Sequence, residues 1–334
     1  MAGDGDYKPG DLIRAAQDYV VVKALGAGGM GSVYLAKHRV LYRPFVLKLL
    51  HAEHFHRAEL IEMFEAEART VARLGEPEPH PGIIEVVDLG RTKDRGCMPY
   101  MVMPYLVGET LSAALERRNF LTVLESIGLV TRILQALDHA HRRGVVHRDV
   151  KPENIFIPQV SEGIAVKVLD WGISKLVAQA RDPHMFLGTP AWASKEQILG
   201  HGIGPLSDVY SAGAVLFRCL TGRMPFAELG GGYAELRRAV DAPAPRITDF
   251  GDFPPSLGNL VALALAKDSS HRPVDALAFA TALQEIGDDV RRQQPSAPPS
   301  HPVRYSAPSE LITEANIAGL TIEDPEIEIG RAHV

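Results

Sequence analysis

Between Val145 and Ile157 the chain reads VVHRDVKPENIFI, with His147, Arg148, Asp149, Lys151, Glu153 and Asn154 enclosed by apolar β-branched residues. A carboxylate at Asp149 can accept a proton from a hydroxyl brought within hydrogen-bond reach. Lys151 can hold a phosphoryl oxygen as a point charge, and Asn154 offers a neutral oxygen to a hard cation. Asp170 ends the apolar run VKVLD sixteen residues after Asn154. Together they could hold magnesium, which commonly takes one or two protein oxygens and completes its shell with water and phosphate. A solvated loop and a plain turn aspartate would also account for these groups, so their surroundings must decide.

Two further constellations precede them. LGAGGMGSVYLA carries Gly26, Gly28 and Gly31 as G-x-G-x-x-G. Glycines let backbone N–H groups converge on an anion without a Cβ in the way. A dinucleotide fingerprint would run on into a helix, but SVYLA is strand-like, so a hairpin covering phosphates fits better. Lys48 stands between Leu47 and Leu49 in FVLKLL. A strand lysine can simply snorkel to a sheet edge. The next segment, HRAELIEMFEAEARTVARL, is helical by period, with Leu60, Phe64, Val71 and Leu74 as its apolar stripe. Glu67 falls inside that stripe, where a carboxylate needs a cation. Lys48 is the best-placed one.

The elements that must position these groups divide into two kinds. YVVVKAL, GSVYLAKH, RPFVLKLL and PYMVMPY read as strands. After residue 109 the period turns helical in TLSAALERR, VLESIGLVTRILQALDHAHRRG, DVYSAGAVLFRCLTG and NLVALALAKD. A strand-rich half followed by a helical half is an α+β arrangement. Residues 1–18 read as a lead-in, and the Pro/Ser-rich stretch after 287 as a linker and acidic tail.

Composition excludes several classes. The 334 residues carry a formal charge of −6, which gives no basic footprint for nucleic acid. No apolar run approaches the roughly 18–20 residues needed to span a bilayer, and the amino terminus lacks a signal peptide, so a cytoplasmic protein with neither nucleic acid nor membrane as partner is expected. Cys97 and Cys219 read as small buried hydrophobes. His51, His54 and His56 read as a solvated helix start rather than a metal site, and His139 and His141 as packing residues.

Taken in order, these motifs resemble the signature set of the bacterial eukaryotic-like (Hanks-type) Ser/Thr protein kinases over residues 19–287. The resemblance implies a bilobal protein-kinase fold: a β-rich N-lobe with one regulatory helix (19–102), a hinge (103–107) and a helical C-lobe (108–287). It implies an ATP-dependent transfer of phosphate to Ser/Thr hydroxyls of proteins, the kinase itself included, with Mg²⁺ (Mn²⁺ as a substitute) as cofactor. Leu25, Gly26, Gly28, Gly31 and Val33 would cover ATP. Lys48, paired with Glu67, would hold its α/β-phosphates. Met103 would be the gatekeeper, with the Pro104 carbonyl and the Leu106 N–H at the adenine. Asp149 would be the catalytic base with Lys151 near the γ-phosphate, and Asn154 and Asp170 the metal ligands. His147, Arg148 and Thr189 are implied as structural or regulatory residues. Asp208 is expected to hold the catalytic-loop backbone, and Glu196 and Arg272 to form an ion pair in the C-lobe.

Three departures from the family pattern stand out. DWG places Trp171 where phenylalanine is usual, and SKE replaces APE while keeping Glu196. From Lys175 to Gly188 there is no Ser, Thr or Tyr, so Arg148 lacks the phosphorylated partner that the family usually supplies. Asp182 is the nearest acidic candidate, and Ser174 and Thr189 flank the segment. A nucleotide-binding pseudokinase or scaffold is the alternative reading, and a small-molecule kinase of the same fold a third. A homodimer, and a partner that binds phosphopeptides or the tail, stay open.

Overall fold

The computed structural model describes residues 7–27, 31–54, 57–171, 190–225 and 242–293. Gly28, Ser174, Asp182, Thr189 and the tail lie outside the described residues.

Six strands form one antiparallel sheet: β1 (Leu12–Arg14), β2 (Asp18–Ala27), β3 (Gly31–His38), β4 (Pro44–Leu50), β5 (Asp88–Arg91) and β6 (Pro99–Pro104), in the order β1-β2-β3-β4-β6-β5. Alternation along β4 sends Leu47 and Leu49 into a core with Tyr34, Tyr100 and Val102, and turns Lys48 to the opposite face. Helix α1 (Ala58–Leu74) lies across that face, burying Met63, Phe64, Glu67, Ala68, Thr70, Val71 and Leu74. Its stripe sits slightly off the expected one: Leu60 is only half-buried, while Met63 and Ala68 take core positions.

Residues expected to form a mere lead-in belong to this sheet. Leu12–Arg14 pairs with Asp18–Val20, Tyr7 and Ile13 are buried, and the Tyr7 hydroxyl donates to Asp94 at 3.1 Å. A three-residue strand carries too little periodicity to be read locally; long-range pairing creates it.

The second half is helical: α2 (Leu111–Arg118), α3 (Val123–His141), α4 (Lys195–Leu199), α5 (Pro205–Thr221), α6 (Pro255–Ala264) and α7 (Ala276–Gln293). Thr110 caps α2, and Thr122 with Glu125 forms a capping box on α3. Helix α7 runs past the expected boundary at 287. Two short strands, β8 (Ile155–Pro158) and β9 (Lys167–Val168), join β7 (Gly108–Thr110) in a small sheet. This sheet holds the catalytic-type loop between α3 and β8. Cys219 is buried, but Cys97 is exposed in the β5–β6 turn with φ 59°, contrary to expectation. Tight-turn geometry outweighs its apolarity there.

Candidate active site

Gly26 pairs with Val33 beside a bulge in β2, and a Cβ on it would meet no atom within 4 Å. The backbone is therefore open to an approaching ligand. Gly31 is glycine for another reason: a Cβ there would lie 2.1 Å from the Leu49 carbonyl oxygen, so β3 could not pair with β4. Val33 and Met101 are the cross-strand partners of Lys48, and Met103 and Pro104 end β6 opposite Val46 and Phe45. Leu25, Val33, Met103 and Leu106 are all less than fully buried.

The Lys48 ammonium donates to Glu67 Oε1 at 3.2 Å and to Asp170 Oδ1 at 2.8 Å. The pair inferred from one alternating strand and one helical stripe is formed, and Asp170 joins it. Burial pulls the ammonium toward neutrality, but the carboxylates of Asp170 and Glu67 outweigh it and hold its pKa above the usual lysine range. Burial pushes the Glu67 carboxyl up against the opposing pull of Lys48, with Asp170 adding to the rise. Asp170 moves down: burial opposes its charge, and the contact with Lys48 prevails. Its side chain is 55% exposed, which leaves room for a further charge.

In the loop before β8, Asn154 Nδ2 donates to the Asp149 carbonyl at 2.9 Å and to Asp149 Oδ2 at 3.1 Å. Lys151 Nζ lies 3.2 Å from the same carboxylate oxygen. With its amide nitrogen so committed, Asn154 presents Oδ1 as an oxygen donor. The Leu169 N–H, next to Asp170, donates to the Asn154 carbonyl at 2.8 Å, which ties the two candidate metal ligands together. An amide oxygen and a half-exposed carboxylate fit Mg²⁺. Among the described residues no cluster of three or more His, Cys, Asp or Glu suits a metal ion, and the His51–His54 pair is a ring stack with centroids 6.1 Å apart.

Arg148 and Asp170 both occupy the left-handed region, with φ 66° and 47°. Such strain persists only where the surroundings over-determine it. Asp208, fully buried at the start of α5, accepts from the His147 N–H and the Arg148 N–H at 2.8 Å each. His141 Nε2 adds a third bond to Asp208 at 2.7 Å. Gln197 donates to the Arg148 carbonyl at 2.9 Å. His147 spans the site: Nε2 donates to the Leu169 carbonyl at 2.9 Å, and Nδ1 accepts from the Asp149 N–H at 3.2 Å. That arrangement requires the neutral ring. Burial indeed keeps the His147 pKa below its ordinary value, against the attraction of Asp208.

His141 and Gln197 were not anticipated as positioning residues. His141 lies six residues before His147, but nothing local says that it turns toward α5. The Glu196–Arg272 pair is bidentate at 2.6 and 3.0 Å, and Ser207 also donates to Glu196 at 2.8 Å. Trp171 is wholly buried against His147, with ring centroids 4.8 Å apart. Among the described residues its Nε1–H has no acceptor.

Comparison with known proteins agrees with this geometry. The protein kinase domain family matches residues 19–284. The chain is 35% identical over 311 residues to the serine/threonine-protein kinase PknA of Mycobacterium tuberculosis, which spans 91% of this chain and 70% of PknA. To PrkC of Bacillus subtilis it is 33% identical over 262 residues, covering 78% of this chain and 39% of PrkC. The crystal structure of the Mycobacterium tuberculosis PknI kinase domain matches with a TM-score of 0.64 at 26% identity, over 84% of this chain and 99% of that domain. An ion-paired site assembled from residues far apart in sequence, and likeness to these proteins along most of its length, place the chain in the protein kinase family, in its bacterial eukaryotic-like serine/threonine branch.

Proposed function

We propose that the chain transfers the γ-phosphoryl group of ATP to serine and threonine hydroxyls of proteins, with Asp149 as the proton acceptor. The observation that carries this reading is the continuous network from Glu67 through Lys48 to Asp170, and through Leu169 and Asn154 to Asp149. Phosphoryl transfer depends mainly on positioning and charge neutralisation, and the network supplies both.

ATP would lie under the β2–β3 turn, its adenine between the Pro104 carbonyl and the Leu106 N–H beside Met103. Lys48 would neutralise the α/β-phosphates. Asn154 Oδ1 and Asp170 would hold Mg²⁺, which when bound offsets phosphate charge. The substrate hydroxyl donates its proton to Asp149 as its oxygen bonds to phosphorus, and ADP departs. Lys151 steadies the transferred group and fixes the Asp149 carboxylate. No side chain forms a covalent intermediate.

The test is radiolabel transfer from ATP to a Ser/Thr protein substrate by wild type and by Asp149→Asn. Loss of about 10²–10⁴-fold in kcat with an unchanged melting temperature is expected. Nucleotide binding without any transfer by wild type would favour the scaffold reading, and transfer confined to small metabolites the third.

A further inference from the structure

Gln197 stands at the third position of α4, is 7% exposed, and reaches with its side chain a loop 49 residues earlier in the chain. We infer that Gln197 is a positioning residue for Asp149: its amide fixes the peptide unit on which the proton acceptor is mounted. The inference rests on the reading of Asp149 as that acceptor.

Two peptide units set the backbone of Arg148, which lies in the left-handed region at φ 66°. The unit before it is held by Asp208 Oδ1, which accepts from the Arg148 N–H at 2.8 Å and so fixes φ. The unit after it sets ψ and carries the Asp149 Cα. Its carbonyl accepts from Gln197 Nε2 at 2.9 Å, and its N–H donates to His147 Nδ1 at 3.2 Å. A residue with a Cβ keeps such a conformation only where its surroundings impose it. Without Gln197 the carbonyl loses this bond, the longer one to His147 is left to hold the unit, and any rotation of the unit swings the Asp149 side chain. Asn154 and Lys151 bond the Asp149 carboxylate itself and set its direction. Gln197 sets the backbone from which that carboxylate projects.

A capping role alone does not account for this side chain. Gln197 Oε1 accepts from the Ser194 N–H at 3.0 Å and from Ser194 Oγ at 3.1 Å, which satisfies the start of α4. A cap uses that oxygen and needs no donor, so the amide NH2 could face water. Instead it is buried against the Arg148 carbonyl. Its partners also fix which way the amide points. Turned over, its NH2 would meet the Ser194 N–H and its oxygen the Arg148 carbonyl, with neither pair able to bond.

The element that presents the amide is anchored on both sides. Glu196, the preceding residue, accepts from Arg272 at 2.6 and 3.0 Å and from Ser207 at 2.8 Å. Just before α4, the Trp192 carbonyl accepts from Ser211 Oγ at 2.8 Å. The donor aimed at Arg148 therefore sits on a rigid helix, which is what accurate placement of a reacting group requires.

Two lesions separate positioning from capping. Gln197→Glu keeps an oxygen toward Ser194 but turns a second acceptor toward Arg148. Assayed at about pH 8.5, where the carboxylate is ionised, its kcat for a Ser/Thr protein substrate should fall by about 10–100-fold. Its KM for ATP should stay within about twofold of wild type. Gln197→Met, which has neither the donor nor the acceptor, should lose kcat to the same extent. Ser194→Ala weakens the cap alone, so it should lower the melting temperature while kcat stays within about twofold. Amide exchange across residues 145–154 should quicken in both Gln197 variants and not in Ser194→Ala. A kcat within about twofold of wild type in either Gln197 variant, or an equal loss in Ser194→Ala, would overturn the inference, because capping would then be the whole role. Absence of transfer by wild type would instead sink the reading of Asp149 on which the inference stands.

Discussion

Lys48 Nζ lies 2.8 Å from Asp170 Oδ1, across 122 residues of chain. This contact joins the upper sheet to the strand end that follows the catalytic-type loop, and it does so while Lys48 still holds Glu67. Lys48 is thus the shared cation of two carboxylates, and its removal strands both.

Lys48→Met should therefore destabilise the protein by roughly 3–5 kcal/mol, because Glu67 is left buried without its cation. Adding Glu67→Gln should restore about 1–3 kcal/mol, since the two positions act as one unit. Urea denaturation of both variants checks the order. A double variant no more stable than Lys48→Met would show that the pair is not coupled.

Trp171→Phe should change the unfolding free energy by less than about 1 kcal/mol, although Trp171→Ala should cost about 3–5 kcal/mol. The smaller ring loses contacts but removes a buried donor that lacks an acceptor among the described residues, and such a donor costs about 1–3 kcal/mol. Equal losses for the two substitutions, measured by denaturant titration, would contradict this.

Arg272→Lys is not conservative. The guanidinium, fully buried, holds both Glu196 oxygens and the carbonyls of Ala266, Leu206 and Lys267. One ammonium cannot reproduce a planar fork with that many bonds. A loss of about 3–5 kcal/mol is expected, seen as a fall of roughly 10 °C in melting temperature.

Acid should weaken the fold through two histidines. His147 and His80 both have depressed pKa values, His80 down to about 4 through burial and the neighbouring His139, Lys167 and Arg143. Below the free-histidine value of about 6.5 the unfolded chain binds more protons than the folded one. Their stabilisation is complete above that value and declines as pH falls through the folded values. His80 Nδ1 accepts from the Gly82 N–H at 3.0 Å, and His80→Asn keeps an acceptor without the titration. Its melting temperature should fall less than that of wild type between about pH 7.5 and about pH 5. Parallel curves would remove His80 from the account.

What could be read from the linear chain is what repeats locally. Alternation in FVLKLL put Lys48 on the face opposite Leu47 and Leu49, and a 3.6-residue stripe put Glu67 on the buried side of α1. Both depend only on neighbours a few residues away, so the Lys48–Glu67 pair was legible, as were the strand and helix boundaries around it. Tertiary packing alone decided the rest. It turned His141 toward Asp208 and drew Leu12–Arg14 into the sheet; that Asp208 returns across 61 residues to the His147 N–H was expected only from the family resemblance, not from any local period. It also left Val40, Leu41 and Tyr42 outside any core. Burial and long-range hydrogen bonding belong to the whole fold, and no local period encodes which distant group arrives to satisfy them.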